Sequence, residues 1–406
     1  MAQELAPKAP RKRARIVRWA VLSAVLVTVT VLGYLHQVVG IGKPAGVDAL
    51  CPFGGLETLY ALFSSGTLVK QIAMSSVVLL LATLVVALVF RRSFCGQICP
   101  LGFLQELFGG IGRRVFGRRF ALPGWLDRPA RYLKYVVLAV LIYLTWTTVS
   151  LVVRPYDPWV AYQHLTSAEV FTDFGIGLAI LGISLVGSLL YDRFFCKYLC
   201  PMGATLGLIS RLSVFKVRRS EATCIDCKAC DTACPVNLRV SETAVVNSPE
   251  CINCNECVAA CPVKDTLTVS SRSGNVLSPI AVTGAVVALF GLVVAIGTFT
   301  GNFDWQVPSL ATEAAQNAAT SGAPAEAFDV TLIKGRTTLT EVTDATGIPA
   351  QTIEQVFGVP ANEQSKAIKD TKDVYGYSPG DVRTFIELYR DDPVAALAFI
   401  PTGAEE

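Results

Sequence analysis

Charge is scarce in this sequence. Only 17% of the 406 residues are charged, against 52% hydrophobic, which is too apolar for an ordinary soluble protein of this size. The formal net charge of +3 excludes a global basic patch, so no nucleic acid is expected as a partner. Histidine is nearly missing: His36 and His164 are the only two. A bis-histidine haem could draw on no other pair; a quinone hydrogen-bond partner and a plain interfacial role are the other readings. No small-residue cleavage site follows the first apolar run, which is long for a signal peptide and reads as a retained anchor. From residue 300 onward there is neither cysteine nor histidine, so no metal centre is expected in the tail.

Long apolar runs are abundant. A membrane span needs about 20 such residues, and five segments qualify: 19–39, 72–90, 135–153, 174–191 and 276–299. Segment 101–112 is apolar but short and reads as an interfacial helix. Lys and Arg are distributed unevenly between the loops. Lys8, Arg11, Lys12, Arg13, Arg15 and Arg18 precede the first span, loop 91–134 has nine basic residues and 192–219 has six, whereas 40–70 and 154–173 have two and one. By the positive-inside rule the N-terminus and residues 192–275 face the cytoplasm of a multi-pass cell-membrane protein, and the tail from 300 lies outside.

Cysteine is the second abundance, with 13 residues. "CIDCKACDTACP" and "CINCNECVAACP" repeat the C-x2-C-x2-C-x3-C-P run of bacterial two-cluster ferredoxins, in which three thiolates of one loop cap one cubane and the fourth crosses to the other. One [4Fe-4S] cluster then takes Cys224, Cys227, Cys230 and Cys261, and a second takes Cys251, Cys254, Cys257 and Cys234. Structural zinc is the competing use of four thiolates, and the doubled spacing disfavours it. Two further motifs, "RSFCGQICPLG" and "RFFCKYLCPMG", align as R-x-F-C-x3-C-P-[LM]-G with an offset of 101 residues. Each ends an outside-to-inside span, so a parallel repeat of two spans brings Cys95, Cys99, Cys196 and Cys200 together at the cytoplasmic face.

Spans with two C-x3-C-P motifs followed by a two-cluster ferredoxin run resemble the NapH/NosR/CcoG family of membrane polyferredoxins. The resemblance covers roughly residues 15–275, and "CPFGGLETLY" at 51–60 is similar to a segment of some members. It implies electron transfer at a respiratory membrane, as a subunit or partner of an oxidoreductase. The donor or acceptor is quinol-linked in NapH-like members, nitrous-oxide reductase maturation in NosR-like ones and copper reduction during oxidase assembly in CcoG-like ones. A metal reductase or redox assembly factor is therefore the alternative to a plain electron carrier. The chain departs from the family in lacking the outer flavin-binding domain of NosR and in adding a fifth span and an outer tail.

Three readings compete for the four membrane-edge cysteines: a third iron–sulfur or single-metal centre, redox thiols that cycle as disulfides or bind copper(I), and a structural role beside the turns at Pro100 and Pro201. Cys51 reads as a buried structural cysteine or part of a quinone site, and Asp157 as a proton-transfer group or a solvated turn. In the tail, Thr338 and Glu341 have capping-box spacing, Gly358 stops a helix and Pro379 opens one. Leu339, Val342, Ile353, Val356, Phe357, Val382, Phe385 and Ile386 are its expected core. From residue 300 there are 16 acidic and 7 basic residues, which suits a solubilising appendage or a docking site for a basic partner. The expected fold class is an α-helical membrane protein with five transmembrane helices, a small α+β two-cluster ferredoxin module and a small helical C-terminal domain. The boundaries are 1–18 (basic N-terminus), 19–216 (four-span domain), 217–272 (ferredoxin), 276–299 (fifth span), 300–328 (linker) and 329–406 (outer domain).

Overall fold

The computed structural model describes residues 8–38, 52, 54–55, 74–117, 120, 122–148, 153–167, 169–303, 305–306 and 330–403 apart from 334 and 336. Cys51, the rest of the 51–60 segment except three positions, and most of the 300–328 linker lie outside the described residues. The chain divides into two units, one of residues 1–37 and 45–304 and one of 38–44 and 305–406.

In the first unit, α1 (Lys8–Val38) is followed by α2 (Met74–Phe90), α3 (Ser93–Gln97), α4 (Pro100–Phe116), α5 (Gly124–Ala130), α6 (Leu133–Thr148), α7 (Pro158–Gln163), α8 (Glu169–Thr172), α9 (Gly175–Leu190), α10 (Phe194–Tyr198) and α11 (Pro201–Ile209). The 101-residue offset seen in sequence carries through: α2, α3 and α4 begin at 74, 93 and 100, and α9, α10 and α11 at 175, 194 and 201. Each short helix α3 or α10 stops two residues before the cysteine that precedes a proline, and Pro100 and Pro201, which lack an N–H, open α4 and α11 at their first positions. The Cys99 and Cys200 side chains cap those helices, accepting from Gly102 N at 3.4 Å and Gly203 N at 3.3 Å.

Among the described residues, two helices are long and apolar enough to cross a membrane, Lys12–Gln37 and Pro279–Phe299. The other three expected spans form apolar helices of 17, 16 and 16 residues. At 1.5 Å per residue the described parts rise about 24–26 Å, against a hydrocarbon core of about 30 Å. Helix α2 ends where its apolar run does, at Phe90, just before Arg91 turns left-handed (φ 62°); residues 72–73 and 149–152 of the expected spans lie outside the described residues.

The ferredoxin segment folds as β1 (Lys216–Arg219), α12 (Ala229–Ala233), α13 (Glu256–Ala260), β2 (Leu267–Ser270) and β3 (Val276–Leu277), with an antiparallel sheet in the order β1-β2-β3. Lys216 pairs with Ser270, Arg219 with Leu267 and Val269 with Leu277. The fifth apolar helix, α14 (Pro279–Phe299), starts three residues later than its apolar run, since 276–277 are taken by β3 and Ser278 caps the helix through Ala281 N. Helix α14 packs along α2 and ties to the first motif through Thr283 Oγ1, which donates to Gln97 Oε1 at 3.0 Å.

The second unit holds α15 (Leu339–Thr346), α16 (Ala350–Phe357), α17 (Ile368–Tyr375), α18 (Pro379–Asp391) and α19 (Pro393–Ala396). Thr338 and Glu341 form a capping box, Ser378 and Asp381 form another, and Gly347, Gly358 and Gly376 end helices in the left-handed conformation. Leu339, Val342, Ile353, Phe357, Val382, Phe385 and Ile386 are buried together, with Val356 half-buried against them. The unit is an internal repeat with an offset of 29 residues: Leu339, Gly347 and Ile353 correspond to Ile368, Gly376 and Val382, and the equivalent residues Thr338 and Ala367 pair with each other across the repeat.

Candidate functional site

The two ferredoxin runs wind the backbone in the same way. Asp226 and Lys228 in the first and Asn253 and Asn255 in the second all have positive φ, between 47° and 62°. Asn and Asp tolerate this region better than most residues, and the repeated left-handed steps curl each loop round a cavity. One cavity is lined by Cys224, Cys227, Cys230 and Cys261; the other by Cys251, Cys254, Cys257 and Cys234. The fourth cysteine of each run thus faces the cavity of the other.

The two cavities differ in setting. The first lies at the surface, with Cys227 exposed and Ile225 46% exposed. The second is walled by Val217, Val236, Val240, Val246 and Ile252, all buried. Burial pushes the Cys254 thiol up to about 12 against the pull of Arg18, and burial beside Asp231 does the same to Cys230. Such thiols stay protonated at neutral pH unless a cation displaces the proton. Asn255 lines the second cavity, is 4% exposed, and neither its amide nitrogen nor its oxygen has a hydrogen-bond partner among the described residues. Four soft donors, apolar walls and an unpaired amide fit an iron–sulfur cluster in this cavity. Among the described residues no three His, Cys, Asp or Glu side chains close around one point as a single-ion site requires.

The membrane-edge cysteines are brought together from the two repeats. Cys99 lies within electrostatic reach of Cys95 and Cys196, and Cys200 within reach of Cys196, Cys95 and Cys99. Burial raises all three of Cys99, Cys196 and Cys200 above the ordinary thiol range. Gln105 of α4 reaches across the repeat, donating from Nε2 to Cys196 Sγ at 3.2 Å and accepting from Phe195 N at 3.0 Å. Cys99 and Cys200 also border an apolar cluster of Leu101, Trp159, Val160, Ala161, Phe174, Leu181 and Phe195.

The second ferredoxin loop docks directly on the first C-x3-C-P motif. A Cβ on Gly96 would stand 2.3 Å from Ile252 O, so only glycine allows the two backbones to meet. Gln97 Nε2 donates to Asn253 O at 3.2 Å, and Asn253 Nδ2 donates to Phe90 O and Ser93 Oγ, each at 3.0 Å. Arg91, held left-handed at a cost of about 1–2 kcal/mol, donates to Val246 O and Ser248 O and lies beside Cys251. Arg18 of α1 donates to Gly96 O at 2.8 Å, to Glu106 at 2.6 Å and to Glu256 at 3.0 Å. The Arg193 and Arg18 guanidinium groups hold Glu106 down to about 2 although burial opposes its ionisation. On the other side, Tyr198 Oη donates to Asp127 at 2.6 Å, Arg131 bridges Asp127 to Val236 O, and Lys197, lowered by burial to about 8, stands within electrostatic reach of Cys234.

Of the other residues singled out in sequence, Asp157 caps α7 by accepting from Trp159 N at 2.8 Å. His164 is buried, its Nδ1 2.9 Å from Val160 O and its ring against Phe174. His36 is half-buried near the end of α1. Arg18 and Lys134 were visible only as basic charges beside apolar runs, Arg92 and Arg193 as the first residue of each C-x3-C-P repeat, and Glu106, Glu250 and Glu256 not at all. The usable signal was the arginine at the head of each C-x3-C-P repeat, placed directly after an apolar span.

Comparison with known proteins bears on both cysteine regions. A "4Fe-4S binding domain" family matches residues 72–119 and 174–220, and a "4Fe-4S dicluster domain" family matches 216–262. The putative electron transport protein YccM of Escherichia coli is 32% identical over 233 residues, 57% of this chain and 65% of that protein. The uncharacterized protein MJ0750 of Methanocaldococcus jannaschii is 33% identical over 199 residues, covering 48% of this chain and 76% of the relative. The ferredoxin-type protein NapH of E. coli is 28% identical over 183 residues, 44% of this chain and 59% of NapH. The chain therefore spans just under two thirds of YccM and less of NapH. No solved structure matches it. Two families of 4Fe-4S domain laid over the repeated motifs and the crossed cavities, together with these relatives, show that the chain belongs to the NapH/NosR-like polyferredoxin family.

Proposed function

We propose that the chain is a multi-pass membrane electron-transfer protein whose ferredoxin module is electrically joined to a four-cysteine centre at the membrane edge. In this reading Cys224, Cys227, Cys230 and Cys261 hold one [4Fe-4S] cluster, Cys251, Cys254, Cys257 and Cys234 hold a second, and Cys95, Cys99, Cys196 and Cys200 hold a third centre. The clusters supply one-electron chemistry; the chain holds, insulates and aligns them. The observation that carries the reading is the docking of the second cavity's loop on Gly96 and Gln97, which supports a path from the membrane edge through the buried cavity to the surface cavity. The surface cavity is then the port for a soluble redox partner. The apolar cluster beside Cys99 and Cys200 suits a quinone-class partner on the membrane side. The basic loops support a cytoplasmic ferredoxin module, five crossings and an outer C-terminal unit.

Anaerobic purification with iron and sulfide analysis tests this. The two ferredoxin clusters account for about eight irons and a third cubane brings about twelve. Cys234→Ser is expected to abolish the paramagnetic signal that Cys254→Ser abolishes and to spare the one lost in Cys224→Ser. If the four membrane-edge cysteines act as one site, Cys95→Ser and Cys196→Ser each cost nearly as much iron as the double variant. Bound zinc with iron near zero overturns the electron-transfer reading.

A further inference from the structure

We infer that Arg92 and Arg193 are positioning residues for the membrane-edge centre: each guanidinium serves as counter-ion to the cysteines gathered from both repeats, and together they hold an anionic tetrathiolate rather than thiols or disulfides. The inference rests on the four-cysteine reading above. Both arginines are all but fully buried, at 1% and 0% exposure. Each reaches over the other repeat's C-P-x-G turn. A Cβ on Gly203 would stand 2.6 Å from Arg92 Nη2, and one on Gly102 would stand 2.9 Å from Arg193 Nη1. Arg193 Nη1 donates to Cys95 O at 2.7 Å. Arg92 faces Cys95, Cys200 and Cys196, and Arg193 faces Cys196 and Cys99. In both side chains the Nε–H is buried without a hydrogen-bond partner among the described residues.

The surrounding charges do not cancel. On one side Glu106 and Glu256 face three cations, Arg15, Arg18 and Arg193. On the other, Glu250 faces Arg92 and Lys134. The Arg15 side chain is 56% exposed, so the buried part of the first network balances, whereas the second holds one more cation than it has carboxylates. Arg92 and Lys134 are at most 1% exposed, so water does not relieve that excess, and an uncompensated buried charge is strongly unfavourable. Four protonated thiols, or two disulfides, are neutral and would leave the excess standing. Four thiolates around a metal core of smaller positive charge are anionic and remove it. The ferredoxin cavities repeat the device singly: Arg91 lies beside Cys251 and Arg219 beside Cys224.

A cation next to such a centre favours its reduced, more negative state, so removing the cation lowers the midpoint potential. The test uses the full chain in detergent, purified anaerobically, with iron, sulfide and free-thiol analysis and a redox titration followed by paramagnetic resonance. In Arg92→Gln and Arg193→Gln the membrane-edge signal is expected to move to a more negative potential or to vanish with the iron above the ferredoxin complement. Arg92→Lys and Arg193→Lys, which keep the charge, are expected to retain the iron and most of the potential. Iron retained at an unmoved potential in both Gln variants overturns the inference alone. So does equal loss of iron in the Gln and Lys variants, since shape rather than charge would then matter. Wild-type protein with no metal beyond the two ferredoxin clusters, or with the four cysteines as two disulfides, overturns the four-cysteine reading and this inference with it.

Discussion

At the scale of single residues, the contact between the membrane half and the ferredoxin module turns on one missing side chain. Gly96 lies against a carbonyl, not a movable side-chain end, so a methyl group there forces the 251–257 loop away from the motif. Gly96→Ala is expected to cost about 1–3 kcal/mol, to leave the iron count unchanged, and to lower hydrogen-exchange protection of residues 251–257. Unchanged protection would mean that the loop does not rely on this approach. The second C-x3-C-P motif has Lys197 at the corresponding position, and it faces the Cys234 side of the same cavity. One residue type seats the loop and its repeat-mate places a cation, so the two motifs are alike in cysteines and unlike in what they present to the ferredoxin. The sequence makes both residues visible but not their roles, because the groups they meet are backbone carbonyls and a distant thiol, which have no signature in residue order.

At the scale of elements, the second unit rests on capping. Asp381 accepts from Ser378 N and Oγ, Thr402 N and Oγ1, and Gly403 N, capping the start of α18 and pinning residues 402–403 against it. Burial raises its pKa, but these hydrogen bonds outweigh it and hold the carboxyl below its ordinary 3.8. A depressed folded value means that the stabilisation is fully present above the unfolded value of about 3.9 and fades as pH falls through the lower folded one. Asp381→Asn is expected to lose about 2 kcal/mol near neutral pH, read as faster hydrogen exchange in residues 379–391 of the full chain. The gap from wild type should narrow as pH falls below the unfolded value and through the lower folded one; a gap that stays constant through acid would show that the carboxylate charge is not what matters. The first capping box, the helix stop at Gly358 and the apolar core were legible because short-range chemistry fixes them. The 29-residue repeat was not, since its halves share little beyond glycines and apolar positions. The 101-residue repeat was legible because cysteine–proline turns leave few ways to vary. The end of the second apolar run at Phe90 was legible as well, but hydropathy does not mark that residues 276–277 leave the fifth run to join the sheet.

At the scale of the whole molecule, the uneven basic loops set up a test of orientation. Cysteine-free reporter fusions after residue 270 and after residue 320 are expected to report opposite sides of the membrane, the first cytoplasmic, because α14 carries no charge and is 21 residues long. The same side from both positions would mean that α14 does not cross, and the outer placement of the second unit would fall with it. The crossed arginines have a consequence of another kind, for descent. Arg92 covers the glycine turn of the second repeat, and Arg193 covers that of the first. In a symmetric pair of identical subunits, residue i of one touches j of the other and j touches i. A single ancestral copy of the two-span unit could not have supplied the arginine for its own turn. It would have needed a second copy of itself, and in this one chain the exchange holds while the halves differ, with glycine at 96 and lysine at 197.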